Sequence, residues 1–534
     1  MPMMNKPKTR ASNTRFSPTS FLKRFAQDED GSVLVMTILL LITMLIVGGM
    51  AVDFMRFESR RAEIQGVSDR AVLAAASLRQ DLDSEAVVVD FFEKAGYADA
   101  MVGQPIINNT GTSKSVQVNA EVDVNTFFLR LAGIDELNAP AASRAIEGVG
   151  EIEVSLVLDI SGSMNNRVVK GYEFVREGES GCRRGQWYSG YGKGCWKTVY
   201  GERKIELLRT AATNFVNKIL EANGDPDDAT TPYRPIVSIS LVNYSAEVNI
   251  GDELFDALNV NVVASTDPDD EGPAFTNPTR CVEFVSTEFA TTEFNSARSY
   301  DQVEYADVRS GDNTESPVNT TCPWRSYEAI IPLADEAKTV TDAIAQLQPT
   351  QTTSIHLGMK WGVSLLDPSM RNVLNNVNSI HDDFQGTRPL AYPDESGIKT
   401  LKYVVLMTDG ENVATNRLRP SEYDEYEEHV QFQQYGLQYW IDKIDNSRNY
   451  NNFIEQRYSA SDADNWLQDI CGAAKDSKIV VYSIAMGATD HGEDEMRDCA
   501  SEPKSRYYHE TEGDAIQEIF DQIADQITDL RLNL

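Results

Sequence analysis

The sequence predicts an α/β fold, with a doubly wound and mostly parallel sheet, for the residues from Glu151 onward. Apolar runs such as Ile152–Asp159 and Tyr403–Thr408 are typical of parallel strands that are buried on both faces. Segments with helical periodicity alternate with these runs, as in Lys204–Leu220, and this alternation indicates strands joined by crossover helices. The other predicted strands and helices are Ile236–Tyr244, Lys338–Leu347, Thr353–Leu366, Trp466–Ala474, Lys478–Met486 and Asp514–Leu530.

Three insertions interrupt this predicted domain, which spans 151–534, at about 167–201, 252–334 and 417–464. Loops of this length usually carry function or lack fixed structure. The second insertion is long and acidic, and the third is rich in tyrosine and acidic residues. The first insertion is basic and aromatic, so we interpret it as a candidate contact surface, with a local core as the alternative. Its side chains of interest are Arg183, Arg184, Trp187, Tyr188, Tyr191 and Trp196.

One uncharged segment, Val33–Val52, contains about 20 residues, which is enough to span a bilayer as a helix. It is longer than the apolar region of a cleaved signal peptide, and no small-x-small cleavage site follows it directly, so we interpret it as a retained transmembrane helix. Basic residues precede it, which predicts a cytoplasmic tail at 1–32 and export of everything that follows. These basic residues are Lys6, Lys8, Arg10, Arg15, Lys23 and Arg24.

Two further segments connect the membrane span to the main domain. Good helix formers continue through 53–80, which predicts a membrane-proximal helix that either associates with another helix or forms a simple stalk. Residues 81–150 are predicted to be a small α+β connecting module, because Ser115–Val124 alternates apolar and polar residues as a half-buried strand does.

Composition excludes several classes of function. The net charge of −34 argues against nucleic-acid binding, which requires a basic surface. The five histidines are scattered, and the sequence contains neither a P-loop nor a G-x-S-x-G elbow, so we expect no enzymatic activity. His356 is interpreted as a surface or capping histidine rather than a ligand.

The six cysteines all follow the apolar segment, and none forms a CxxC pair. An even number of cysteines in an exported domain indicates disulfides, whereas free buried thiols are the alternative. Pairing each cysteine with its nearest neighbour in the sequence gives Cys182–Cys195, Cys281–Cys322 and Cys471–Cys499.

A candidate metal site lies at the end of the first predicted strand, where Asp159, Ser161 and Ser163 stand at alternate positions. Open α/β sheets place ligands at the carboxyl ends of their strands. One carboxylate and two hydroxyl groups are oxygen ligands, which suit Mg²⁺ or Mn²⁺. The motif therefore predicts a site for a hard divalent cation.

This Asp-x-Ser-x-Ser pattern resembles the metal-ion-dependent adhesion site (MIDAS) of von Willebrand factor A domains. The segment 353–362 resembles the family pattern T-x-x-x-x-G-L-x-W-G, which makes Thr353 the metal-linked threonine and Thr352 the alternative. Asp409, after its strand, matches the distal aspartate. The resemblance implies that Ser161 and Ser163 bind the metal directly and that Asp159 and Asp409 act through water. A protein partner would then complete the octahedron with an Asp or Glu carboxylate.

A second resemblance concerns the N-terminus. Asp30–Ser32, the apolar span and the segments 52–56 and 65–75 resemble the start of TadE/TadG-like proteins of the tight-adherence (Flp) pilus system. Asp53 and Asp69 match acidic positions of that family, and we interpret both as solvated residues of a helix face. The segments 471–475 and 499–501 with the closing helix resemble the end of TadG proteins.

Together the two resemblances imply a single-pass protein of the bacterial inner membrane whose large domain is periplasmic or otherwise outside the cytoplasm. It would belong to Flp pilus assembly, have other pilus components as partners and make cation-dependent protein contacts. The alternatives are a surface adhesin for a host or matrix ligand and an envelope scaffold with a non-functional metal site.

Overall fold

The chain divides into two compact units, Met1–Gly148 and Val149–Leu534, and each is described by itself. The predicted cytoplasmic tail lies outside the described residues except for its last three. The structure, a computed structural model, describes residues 30–77, 82–109, 113–148, 151–224, 233, 235–269, 272–311, 314–392, 400–445, 448–511, 513 and 515–532.

The first unit contains one long helix, one short helix and a three-stranded antiparallel sheet of order β1-β2-β3. A 3₁₀ turn, Leu129–Ala132, joins the last two strands. The elements are α1 (Asp30–Ala76), α2 (Ser84–Lys94), β1 (Ile106–Asn109), β2 (Ser113–Asn125) and β3 (Glu136–Gly148).

The two halves of α1 have different surroundings. Large apolar side chains from Val33 to Val47 are exposed, and α1 is the one helix among the described residues that is long and apolar enough to cross a membrane. The second half buries an apolar stripe against Val116 and Val118 of the sheet and Phe92 of α2. The alternative of a simple stalk is therefore wrong for this half, because its apolar face covers the unit's own sheet and packs on a second helix. The stripe consists of Ile64, Val67, Ala71, Val72 and Ala75.

Asp53 is buried, so the prediction that it is simply solvated is wrong. Its carboxylate accepts hydrogen bonds from the backbone N–H groups of Phe127 at 3.0 Å, Phe128 at 2.8 Å and Leu129 at 2.8 Å. Asp69 accepts hydrogen bonds from Gln65 and from Ser143 of β3. Both acidic residues thus hold parts of the first unit to α1.

The second unit alternates strands and helices along most of its length. Its strands are β4 (Ile152–Asp159), β5 (Arg167–Arg176), β6 (Gln186–Tyr188), β7 (Gly192–Arg203), β8 (Val237–Tyr244), β9 (Val260–Asn261), β10 (Ala264–Ser265), β11 (Phe275–Thr276), β12 (Tyr300–Asp301), β13 (Ile331–Ala334), β14 (Leu401–Thr408), β15 (Thr415–Leu418), β16 (Ile454–Tyr458), β17 (Val480–Met486) and β18 (Tyr507–Glu510). Its helices are α3 (Lys204–Leu220), α4 (Gly251–Ala257), α5 (Ala337–Ile344), α6 (Ile355–Ser364), α7 (Arg371–Leu374), α8 (Tyr426–Gln434), α9 (Leu437–Lys443), α10 (Tyr450–Phe453), α11 (Ala460–Asp476), α12 (Asp490–Cys499), α13 (Pro503–Arg506) and α14 (Ile516–Leu532).

Six strands form the main sheet in the order β13-β8-β4-β14-β17-β18, and all neighbouring pairs are parallel except β13 with β8. Numbered along the chain, this is the order 3-2-1-4-5-6 of doubly wound folds, so the predicted fold class is confirmed. The order reverses between β4 and β14, whose carboxyl ends carry Asp159 and Asp409. The fold therefore places the predicted motif at its topological switch point.

The two faces of the sheet are covered by different helices. Successive residues of a strand point to opposite faces, so Leu156 packs with Phe215 of α3 and Phe520 of α14, whereas Val157 packs with Trp361 of α6. Both edge strands were missed by the sequence analysis. Each has only four residues, and β13 lies inside the segment 252–334 that was predicted to be an insertion.

The three predicted disulfides are confirmed, with Cα–Cα distances of 5.6, 5.8 and 5.1 Å. The first insertion is a three-stranded antiparallel sheet of order β5-β7-β6. Phe174, Tyr191 and Trp196 form a ring cluster on it, with Phe174 and Tyr191 at centroid distances of 5.4 and 5.1 Å from Trp196. Trp187 is instead 77% exposed. The insertion therefore has a local aromatic core and also presents an aromatic side chain to solvent.

Candidate metal centre

The first loop of the centre follows β4 directly. Asp159 ends the strand, and a 3₁₀ turn over Gly162–Asn165 brings the two serines back over the strand end. The Gly162 N–H donates to the Gln351 carbonyl at 2.9 Å, and a Cβ at Gly162 would lie only 3.0 Å from that oxygen. Glycine lets the first two loops approach each other this closely, whereas a larger residue would force the Gln351 carbonyl to shift.

The second and third loops meet at the same edge of the sheet. The Val413 N–H donates to the Thr353 carbonyl at 3.0 Å, which joins the loop before α6 to the loop after β14. A Cβ built on Gly410 would lie 3.6 Å from the Thr353 Oγ1 and 3.8 Å from the Ser163 Oγ. Thr353 is buried and Thr352 is exposed, so the geometry favours Thr353 over its neighbour.

Hydrogen bonds connect four of the five predicted residues. The Ser163 Oγ donates to the Asp409 Oδ1 at 2.6 Å and lies 2.9 Å from the Ser161 Oγ. Asp159 accepts a hydrogen bond from the backbone N–H of Ser161 and another from the hydroxyl of Thr408, both at 2.6 Å. Residues separated by up to 246 positions therefore form one constellation of oxygen atoms.

The sequence analysis missed Lys204, the first residue of α3. Its ammonium group lies 2.9 Å from the Asp409 Oδ2 and donates to the Gly487 carbonyl at 3.1 Å. The lysine side chain is 12% exposed and the aspartate side chain is fully buried. No motif indicates this contact, because Lys204 follows the first insertion and reaches Asp409 only in the folded sheet.

The charges of the side chains at this centre favour the binding of a cation. Burial, and next the charge of Asp409, raise the pKa of Asp159 to about 7. Two carboxylates and the single ammonium of Lys204 leave one uncompensated negative charge when all three groups are ionised. The donor set consists of carboxylate and hydroxyl oxygens, which fits a hard dication such as Mg²⁺. Ser161 and Ser163 would bind such an ion directly.

His356 is fully buried, so its interpretation as a surface histidine is wrong. Its ring lies 5.4 Å from Phe289, 4.9 Å from Tyr458 and 5.7 Å from Trp466, measured between centroids. Its Nδ1 lies 3.3 Å from the Asn412 Oδ1. Burial lowers the pKa of His356 to about 3. The histidine is therefore a neutral core residue beside the second and third loops.

Comparison with known proteins gives a family match at the N-terminus. Residues 31–78 match the family model for Flp pilus-assembly TadE/G-like proteins, which supports a pilus-related role. None of the curated proteins compared with the chain matches it significantly.

Solved structures similar to most of the chain include two of one pilus tip protein. The von Willebrand factor domain of the type V pili tip protein Mfa5 from Porphyromonas gingivalis is 11% identical, with a TM-score of 0.31, and the match covers 72% of this chain and 97% of that domain. A structure of three N-terminal domains of the same tip protein is 10% identical, with a TM-score of 0.27, and the match covers 77% and 53%. Similarity at this level transfers no function. The chain thus joins an N-terminal segment that matches the TadE/G-like Flp pilus-assembly model to a domain with a doubly wound sheet.

Proposed function

We propose that this protein is a membrane-anchored component of Flp pilus assembly whose A-type domain makes divalent-cation-dependent contacts with a protein partner outside the cytoplasm. The observation that carries the cation dependence is the convergence of Asp159, Ser161, Ser163 and Asp409 at the switch point of the sheet. The TadE/G-like segment supports the assignment to pilus assembly.

The charge balance of the centre specifies the chemistry of the partner. With both carboxylates ionised, Asp159 and Asp409 together with Lys204 carry one net negative charge, so a bound Mg²⁺ changes the total to one net positive charge. A single carboxylate from a partner restores neutrality. Asp or Glu is therefore the partner residue that fits, because carboxylate oxygen is also a preferred ligand of Mg²⁺.

Lys204 supports one alternative, an envelope scaffold with a non-functional metal site. In that protein the ammonium group, 2.9 Å from the Asp409 Oδ2, would take the place of a metal ion. The two functions differ in a measurable way, since only the first requires a dication for partner binding.

Thermal unfolding of the full chain in detergent, with Mg²⁺ or with EDTA, tests the metal site. A ligand at 100 times its Kd stabilises the native state by about 2.7 kcal/mol, which in a domain of this size corresponds to a shift of roughly 3 °C. We expect Asp159→Ala to lose this shift. Ser155→Ala is the matched control, because Ser155 is a buried serine of the same strand outside the site. An equal shift in wild type and Asp159→Ala would exclude metal binding at this centre.

A cross-linked pull-down tests the partner. Wild type in Mg²⁺ should capture pilus components that are lost in chelator and lost equally in the double variant Ser161→Ala/Ser163→Ala. Capture that is unaffected by chelator and by the double variant would favour the scaffold. For orientation, reporter fusions after Gln80 should be active only outside the cytoplasm.

A further inference from the structure

A second group of metal-ligating side chains lies on the two helices that follow the third insertion. Asp464 of α11 and both His491 and Glu495 of α12 each offer one ligand atom, and these three atoms lie within 4.8 Å of one another. The candidate metal centre at the end of β4, which we call the DxSxS centre, contains no histidine and shares no residue with this group. We call Asp464, His491 and Glu495 the helix-pair triad.

The scaffold of the helix-pair triad fixes the relative position of its members. His491 and Glu495 are four residues apart on α12, so they share one face of that helix. Asp464 faces them from α11, and the Cys471–Cys499 disulfide joins the two helices. His491 is 55% exposed and Asp464 is 15% exposed on their side chains, so an ion can reach them from solvent.

Neighbouring amides orient both carboxylates of the triad. The Asn412 side chain donates to the Asp464 Oδ1 at 3.1 Å, and Gln468 donates to the Glu495 Oε2 at 2.8 Å. The second oxygen of Asp464 lies 3.0 Å from the His491 Nε2. Hydrogen bonds of this kind to ligating carboxylates are typical of metal sites, because they hold the ligand atoms in place before the ion arrives.

We propose that the helix-pair triad binds a first-row divalent transition metal, with Zn²⁺ as the best fit. Imidazole nitrogen and carboxylate oxygen are both ligands of zinc in proteins, and the imidazole nitrogen disfavours Mg²⁺. Three protein ligands leave a fourth tetrahedral position for water or for a group from a partner.

Zinc at the triad would stabilise the position of the loop after β14, which carries Asp409 of the DxSxS centre. Asn412, which holds Asp464, lies three residues after Asp409, and Thr489 at the start of α12 is hydrogen-bonded to Glu411. Gly492 packs so closely on the Gly410 carbonyl that a Cβ there would lie 2.3 Å away. The loop that follows Asp409 therefore contacts both sites, although the two sites have no ligand in common.

The test is competition for Zn²⁺ between the full chain in detergent and a chromophoric chelator, with Zn²⁺ as the only added metal. Wild type should bind one equivalent. His491→Ala and Glu495→Gln should each weaken binding at least tenfold. His509→Ala is the matched control, because His509 pairs with Glu493 at 3.0 Å and is outside the triad. It should bind zinc as wild type does.

Two results would overturn the proposal. Wild-type affinity in both His491→Ala and Glu495→Gln would exclude the triad, and loss of zinc in Asp159→Ala would place the ion at the DxSxS centre instead. Thermal unfolding monitors the fold of each variant. If His491→Ala does not fold, the near-isosteric Asp464→Asn and Glu495→Gln decide the question by the same tenfold criterion.

Discussion

Replacing Lys204 by methionine should make the stability of the protein strongly dependent on Mg²⁺. The substitution keeps the apolar stem but removes the ammonium group that lies 2.9 Å from the fully buried Asp409 carboxylate. Breaking a buried pair by removing one partner costs about 3–5 kcal/mol, since the other charge stays buried without compensation. Asp159 is a second buried carboxyl group that interacts electrostatically with Asp409, so a nearby positive charge stabilises both groups.

A bound dication supplies the missing positive charge. We therefore expect Lys204→Met to lower the free energy of unfolding by about 3 kcal/mol in EDTA but by only about 1 kcal/mol in saturating Mg²⁺. By linkage, the difference of about 2 kcal/mol corresponds to Mg²⁺ binding that is roughly 30 times tighter in the variant.

Urea unfolding of the full chain in detergent, followed by tryptophan fluorescence, measures both values. Lys218→Met is the matched control, because Lys218 lies on the same helix and pairs with Asp525 at 2.7 Å on the surface. An exposed pair contributes about 0–1 kcal/mol and should show no dependence on Mg²⁺. A loss of equal size in EDTA and in Mg²⁺ for Lys204→Met would refute the idea that a cation and Lys204 act on the same charge.

Three further predictions concern stability. The pKa of His356 is about 3 in the folded protein and about 6.5 in the unfolded state. Between these pH values only the unfolded state binds the extra proton, so the free energy of unfolding decreases as the pH is lowered. From pH 6.5 to 5 this loss is about 2 kcal/mol, and His356→Gln should flatten the slope in urea unfolding. Cys471→Ser/Cys499→Ser opens a 28-residue loop and should cost about 3–4 kcal/mol in urea unfolding, and an unchanged free energy of unfolding would contradict a stabilising role of this disulfide. Asp53→Ala should speed amide hydrogen exchange at 127–129, and unchanged exchange there would contradict the role of its carboxylate.

The central sheet could be predicted because its signals are local. β4 is buried along its whole length and mostly apolar, and its ends match the prediction, Ile152–Asp159; α3 likewise matches Lys204–Leu220. Asp159, Ser161 and Ser163 are adjacent in the sequence, so a motif can identify them. Thr353 and Asp409 could be added because each stands beside a predicted element.

The features that could not be predicted depend on contacts between residues that are distant in the sequence. Lys204 meets Asp409 across 205 positions, and the rings around His356 come from three separate segments. The edge strand β18 has four polar or aromatic residues, Tyr-Tyr-His-Glu, which carry no apolar periodicity. Helical spacing suggests that His491 and Glu495 share a face, but it cannot bring Asp464 to them.

The two ends of the first insertion lie next to each other, which bears on how much this insertion can vary. Its strands leave the domain after Asn166 and return at Lys204, and the Lys204 N–H donates to the Asn166 carbonyl at 2.9 Å. The two ends are thus already in contact, and β5 and β7 pair at their bases through Arg167 and Arg203. Val168 of β5 is buried in the core of the main domain, whereas β6 and the outer parts of β5 and β7 are largely exposed. The outer part of this insertion can therefore change in length or sequence while the loop with Ser161 and Ser163 and the start of α3 at Lys204 stay in place.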